Sequence, residues 1–174
     1  HVVEAAPNLD GAMNVFQVQR AAGLRLLAKR LETISPDWRG MIKDTARWNI
    51  DKGLALTADE LMQSELQRTV IYRRISRFFE EYDALIIPSA QVPPFDATLD
   101  WVSEINGVNM PTYSDWMAVC CMISVTGLPA ISVPGGFTQN GLPIGVQIVG
   151  KPRGDLELLR IAHAFEAATE HGLR

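Results

Sequence analysis

Between Thr126 and Gly150 the chain reads TGLPAISVPGGFTQNGLPIGVQIVG. A helix arriving at Ser124 has to end at Gly127, which accepts the left-handed backbone of a helix terminus, and Pro129 just beyond prevents its continuation. Ala130-Ile131-Ser132-Val133 and Ile144-Gly145-Val146-Gln147-Ile148-Val149 are then two runs of strand character. Asn140-Gly141 between them tolerates the positive φ angles of a tight turn, so the segment is predicted as helix stop, strand, turn and strand, that is, a β-hairpin.

Upstream, Ala84-Leu85-Ile86-Ile87 is a short continuous apolar run ended by Pro88, the pattern of a central strand covered on both faces. Pro93-Pro94 opens a polar, Gly-containing stretch that reaches Pro111. Such a loop usually carries function or forms a lid. A helix from about Thr112 to Ser124 leads into the hairpin. A last helix, capped by Asp155, is predicted to bury Leu158, Leu159, Ala162 and Phe165.

The first half reads as helical. Ala12, Val15, Phe16, Ala22 and Leu26 recur at the three- and four-residue spacing of one helix face. A second helix is predicted from Ser35, with Pro36 in the first helical position, to near Gly53. The third has the clearest start: Thr57 and Glu60 make a capping box, and Leu56 and Leu61 stand at the positions of a hydrophobic staple. Leu66, Val70, Ile71, Ile75, Phe78, Phe79 and Tyr82 then form an apolar stripe, with Arg68, Arg73, Arg74 and Arg77 on a solvated face. Trp38 and Trp48 read as helix-packing residues.

The whole is an α/β fold, helices packed on a mixed, largely buried β-sheet, in a single domain over 1–174. Residues 1–82 are mainly helical, and residues 83–174 run strand, loop, helix, hairpin, helix. His1 is followed at once by Val2-Val3, which reads as the interior of a strand, so a piece of a larger protein is expected.

Composition narrows the function. The 174 residues are 47% hydrophobic and 21% charged, close to the globular average, which excludes disordered and fibrous classes. No apolar run is long enough for a membrane span. With 16 Lys+Arg against 20 Asp+Glu, a formal net charge of -4 and no basic cluster longer than Arg73-Arg74, neither nucleic acid nor membrane is an expected partner. The only cysteines, the adjacent Cys120 and Cys121, lack metal-ligand spacing and read as small buried hydrophobes in a reducing cytoplasm. No metal site and no cofactor are expected.

Three segments together, Asp83-Ala84-Leu85-Ile86-Ile87-Pro88-Ser89, Thr126 through Pro134 and Asn140 through Gly150, resemble the C-terminal part of the amidase signature family. The closing helix from Leu158-Leu159 to Phe165-Glu166 matches as well. The resemblance is strong over residues 83–170 and weak over the helical first half. It implies hydrolysis of carboxylic amide or ester bonds by a serine activated through a second serine and a lysine. This chain has no Ser-Ser pair, its only Gly-Gly, Gly135-Gly136, leads into Phe137, and its four lysines, Lys29, Lys43, Lys52 and Lys151, stand in no such motif. No catalytic residue is therefore carried over. Ser124 also stands where relatives commonly place Asn, and a hydroxyl has fewer hydrogen-bonding sites than an amide.

Two sets of residues remain as substrate-binding candidates. Pro88, Ser89 and Ala90 follow a buried strand, where ligands gather in open α/β sheets, and in the family this loop approaches the substrate cleft. Ordinary turn chemistry is the rival reading. Tyr113 and Trp116 open the next helix and suit the wall of an acyl or aryl pocket, with core packing as the rival. A triad of His163 with Asp115 and Ser114 or Ser132 is disfavoured, because no Gly-x-Ser-x-Gly elbow occurs and His163 lies on a terminal helix. The expectation is thus the scaffold and pocket wall of an amidase acting on a small-molecule amide, inactive alone and homo-oligomeric. The alternatives are a non-catalytic binding or assembly module and an amidotransferase A-type subunit.

Overall fold

The computed structural model describes residues 1–170, which divide into two compact units: residues 10–71, and residues 1–9 together with those from 72 onward. The α/β class is borne out.

In the first unit, α1 (Ala12–Ile34) and α2 (Asp44–Ala55) flank a 3₁₀ turn, Trp38–Met41. Ala28, Trp38 and Ile50 form the core between them, with Leu24, Leu31 and Ile42 packed around it. The predicted helix start at Ser35 is corrected here. Ser35 is the extended residue that ends α1, its amide bonded to the Leu31 carbonyl at 3.0 Å, and Pro36 follows a helix end instead of opening a helix. The helix end expected near Gly53 falls at Ala55, and Gly53 itself is a point of close helix approach, where a Cβ would collide with the Ala21 carbonyl oxygen of α1.

Helix α3 (Ala58–Glu81) begins with the predicted capping box: the Thr57 amide donates to Glu60 Oε2 at 2.8 Å, and the Glu60 amide to Thr57 Oγ1 at 3.2 Å. Along α3, Ile71, Ile75 and Phe79 are buried, but Leu66 is 59% exposed, so the expected stripe is only partly covered. Arg74 donates to Asn8 Oδ1 at 3.1 Å, while Arg73 and Arg77 are exposed as expected.

The second unit is built on three strands, β1 (Leu85–Pro88), β4 (Ala130–Phe137) and β5 (Pro143–Val149), in the order β1-β5-β4. Both pairings are antiparallel, which corrects the expectation of a mixed sheet among the described residues. One face packs Val133 and Ile148 against Leu158 and Ala162 of α5 (Asp155–Thr169). The other packs Leu85 and Val149 against Ile75 and Phe79 of α3 and Ile123 of α4 (Ala118–Thr126). Strand β1 lies at the sheet edge with Ile86 44% exposed, so it is not covered on both faces. Leu159 is also exposed, and Asp155 is the first residue of α5 and not its side-chain cap.

The Thr126–Gly150 stretch folds largely as read. Gly127 ends α4 with φ 67°, and Thr126 Oγ1 donates to the Ile123 carbonyl at 2.6 Å while accepting the Leu128 amide at 3.3 Å. In the hairpin turn only Gly141, at φ 77°, has the left-handed backbone; Asn140 does not need it, because the Thr138 carbonyl accepts the Gly141 amide at 2.9 Å. A second hairpin, β2 (Glu104–Ile105) and β3 (Val108–Asn109), lies inside the long loop, turning at Asn106 and Gly107 with φ 50° and 79°. Residues 1–9 carry no regular structure, so the strand expected at Val2-Val3 is absent from the described residues.

Two tests follow from these helices. Gly23 of α1 has open space where a Cβ would stand, so Gly23→Ala should stabilise by about 0.5–1 kcal/mol through its unfolded-state entropy, whereas Gly53→Ala should destabilise by about 1–3 kcal/mol. Denaturant unfolding of both variants checks the opposite signs. Hydrogen bonds from Thr57 hold the Glu60 carboxyl below its ordinary range, so this contribution is present above that range and is lost as pH falls through the lowered value. Thr57→Ala should lower the melting temperature by roughly 2–4 °C at pH 7. The difference should shrink on acidification, as read by thermal melts across pH.

Candidate functional site

A groove of about 840 Å³ opens at the carboxyl end of β1, inside the second unit. That volume lies within the roughly 300–1,000 Å³ of ligand pockets. One side is the chain leaving β1: Pro88, Ser89, Ala90 and the following segment through Phe95. Across from it stand Thr138, Pro143, Ile144 and Gly145 of the hairpin, and Trp116 forms a further wall.

Each wall has its own support. The Ser89 amide donates to the Gly145 carbonyl at 3.1 Å, extending the β1–β5 ladder by one residue. The Ser89 carbonyl accepts the Cys120 thiol of α4 at 2.9 Å, and burial raises the Cys120 pKa, which keeps it a thiol. Gln91 Oε1 accepts the Val119 amide at 3.2 Å, so the loop supplies an acceptor to the first turn of α4. The Thr112 amide donates to Asp115 Oδ2 at 2.6 Å and the Asp115 amide to the Thr112 carbonyl at 3.0 Å, which together fix the 3₁₀ turn Asp115–Met117 that carries Trp116. The Phe95 and Trp116 rings meet edge to face, 5.3 Å between centroids and 86° between planes. Next to Phe95, Asp96 accepts the Thr98 amide and hydroxyl at 2.8 and 2.7 Å, bonds that lower its pKa.

Of the sequence candidates, Pro88, Ser89, Ala90 and Trp116 come together on the groove, and Tyr113, half-buried on the same turn segment, does not line it. Phe95 and Ile144 line it without having been singled out, and Gly145, whose missing side chain suits a close approach to the sheet, lines it too. Pro93-Pro94-Phe95, directly after the strand, was the available signal for Phe95.

The disfavoured triad is not assembled. His163 is exposed on α5, while Asp115 is engaged with Thr112 and the Ser114 hydroxyl lies 3.0 Å from that of Thr112. Lys151 pairs with Asp83 at 2.9 Å, and Lys52 stands over the Trp48 ring at 4.2 Å. The Cys121 thiol donates to the Ser114 carbonyl at 3.8 Å, and Ser124 Oγ donates to the Cys120 carbonyl at 2.9 Å. Among the described residues no His/Cys/Asp/Glu group is placed to hold a metal ion, and no helix is long and apolar enough to cross a membrane.

Comparison with known proteins agrees with this architecture. The family model Amidase matches residues 4–159. The A-type subunit of glutamyl-tRNA(Gln) amidotransferase from Dehalococcoides mccartyi is 40% identical over 110 residues, covering 62% of this chain and 21% of that protein. A putative amidase of Synechocystis is 37% identical over 110 residues, covering 63% and 22%. The chain thus spans about a fifth of the length of these curated relatives. Among solved structures, an amidase superposes with a TM-score of 0.84 at 20% identity, over 97% of this chain and 38% of that one. A bacterial aryl acylamidase of the amidase signature family gives 0.73 at 25% identity, over 88% and 32%. With most of its length matched by the family model and its strand and hairpin motifs folded as that resemblance implied, the chain belongs to the Amidase family.

Proposed function

We propose that this chain is the C-terminal part of an amidase-signature hydrolase acting on carboxylic amide or ester bonds of a small molecule. In this reading it supplies scaffold and pocket wall, is cytoplasmic, and is inactive alone. The observation that carries it is the groove at the end of β1, lined by Pro88, Ser89, Ala90 and Trp116, with Tyr113 on the segment that bears Trp116.

The division of labour is argued from chemistry. Acyl transfer needs a nucleophile within hydrogen-bond reach of a base and donors aimed at the developing oxyanion. Ser89 and Thr138 are the hydroxyls lining the groove, and no Lys, His, Asp or Glu is among its lining residues to serve either as a base. The serine pair and lysine of the family therefore belong to another segment. A second reading, an amidotransferase A-type subunit, is favoured by the name borne by relatives 40–41% identical to this chain.

Homo-oligomerisation is part of the proposal. Strands β1 and β4 each pair on one edge only among the described residues, and Phe137 and Ile144 of the hairpin are 41% exposed. Unpaired edges beside apolar side chains favour association.

The purified 174-residue chain is expected to release no nitroaniline from 4-nitroacetanilide. Hydrolysis above background that persists in Ser89→Ala would show a nucleophile elsewhere in the chain and end the proposal. Sedimentation velocity should show self-association that increases with concentration, and a stable monomer would remove the oligomer claim. Copurification of a distinct protein partner would select the amidotransferase reading.

A further inference from the structure

Helix α1 departs from the charge balance of the rest of the chain. It carries Arg20, Arg25, Lys29 and Arg30 against one acid, Glu32, in a chain whose formal net charge is -4. The whole-chain count, which argued against a membrane partner, averages over this local excess. Arg20 lies over the Phe16 ring at 5.9 Å. Arg25, Lys29 and Arg30 are exposed, and their side chains enter no ion pair among the described residues.

The same half of the helix shows apolar side chains to solvent. Leu26 is 65% exposed and Ile34 77%, Leu27 is exposed beside them, and Met41 of the following 3₁₀ turn is 75% exposed. Leu26, Arg30 and Ile34 follow at four-residue intervals, and Leu27 stands three residues before Arg30. The four therefore share the arc opposite Ala28, which is fully buried in the core with Trp38 and Ile50. Leu24 and Leu31 supply the partly buried contacts to that core, so the outward leucines are surplus to the packing of this unit.

Exposed apolar surface of this kind marks a contact site. The cations indicate with what. Arg30 stands between Leu26 and Ile34, within the apolar arc, while Arg25 and Lys29 border it. A protein interface keeps charge, that of lysine above all, away from its apolar centre. At a bilayer surface the two chemistries coexist, because apolar side chains enter the acyl boundary while Arg and Lys stems run outward and leave their heads at the lipid phosphates.

We infer that the outward arc of the C-terminal half of α1, together with Met41, is a docking surface for an anionic lipid bilayer. Leu26, Leu27, Ile34 and Met41 enter the headgroup boundary, and Arg25, Lys29 and Arg30 pair with lipid phosphates. The contact is peripheral and needs no spanning helix. It is independent of the amidase reading and of the groove at β1.

Flotation of the 174-residue chain with vesicles tests it, using phosphatidylcholine alone and phosphatidylcholine mixed with phosphatidylglycerol. The chain should float with the mixed vesicles, stay behind with the neutral ones, and detach as salt is added. Lys29→Gln combined with Arg30→Gln should weaken binding to the mixed vesicles about twenty-fivefold, about fivefold per cation. Leu26→Ser combined with Ile34→Ser should abolish it, and both pairs, being on the exposed arc, should keep the wild-type melting temperature. No flotation with the mixed vesicles, equal flotation with the neutral ones, or flotation unchanged in either double variant overturns the inference. Loss of self-association in Leu26→Ser with Ile34→Ser, read by sedimentation velocity, also overturns it, because the arc would then belong to a second copy of the chain.

Discussion

Backbone pairing along β5 is the constraint on which the rest of the second unit depends. This strand is the one hydrogen-bonded on both edges within the three-stranded sheet, and its register sets Val149 opposite both Leu85 and Ala130. Side chains alternate across a strand, so a slip of one residue would exchange Ile148, packed against α5, with Val149, packed against α3 and α4. The same register places Gly145 beside Ser89. The two apolar layers and the floor of the groove are therefore consequences of one alignment.

Loop and helix packing then build the groove on that sheet. The Ser89 peptide is held from two directions, by the Gly145 carbonyl through its amide and by Cys120 through its carbonyl. Its side chain consequently stands on backbone that neighbouring elements position, the arrangement a recognition group requires. Trp116 is held differently, on a short turn fixed by the Thr112–Asp115 pair and braced against Phe95.

What could be read in the chain were the features whose physics is local. The Thr57–Glu60 box, the Gly127 terminus and the turn before Pro143 each depend on a few consecutive residues, and all three formed. Ser35-Pro36 misled because proline follows a helix end as readily as it opens a helix, and only the continued pattern of α1 decides between them. The Glu104–Asn109 hairpin escaped notice because two residues on each side of Asn106-Gly107 show no alternation. Periodicity located the apolar faces of α3 and α5 but not their cover, hence the exposed Leu66 and Leu159. At the candidate site, the strand-end rule found Pro88 to Ala90, whereas Phe95 arrives by the path of the loop, which no short window contains.

The hairpin tip has a separate consequence for how this groove diversifies. Thr138 closes the turn by itself, its amide bonded to the Leu142 carbonyl at 2.8 Å and its hydroxyl accepting the Leu142 amide at 3.0 Å. Gln139 and Asn140 project beyond that clasp into solvent. Codons inserted or lost at those two positions would reshape the rim of the cleft and leave the ladder beneath it untouched. Indels there offer a lineage a route to new ligands at little cost to folding.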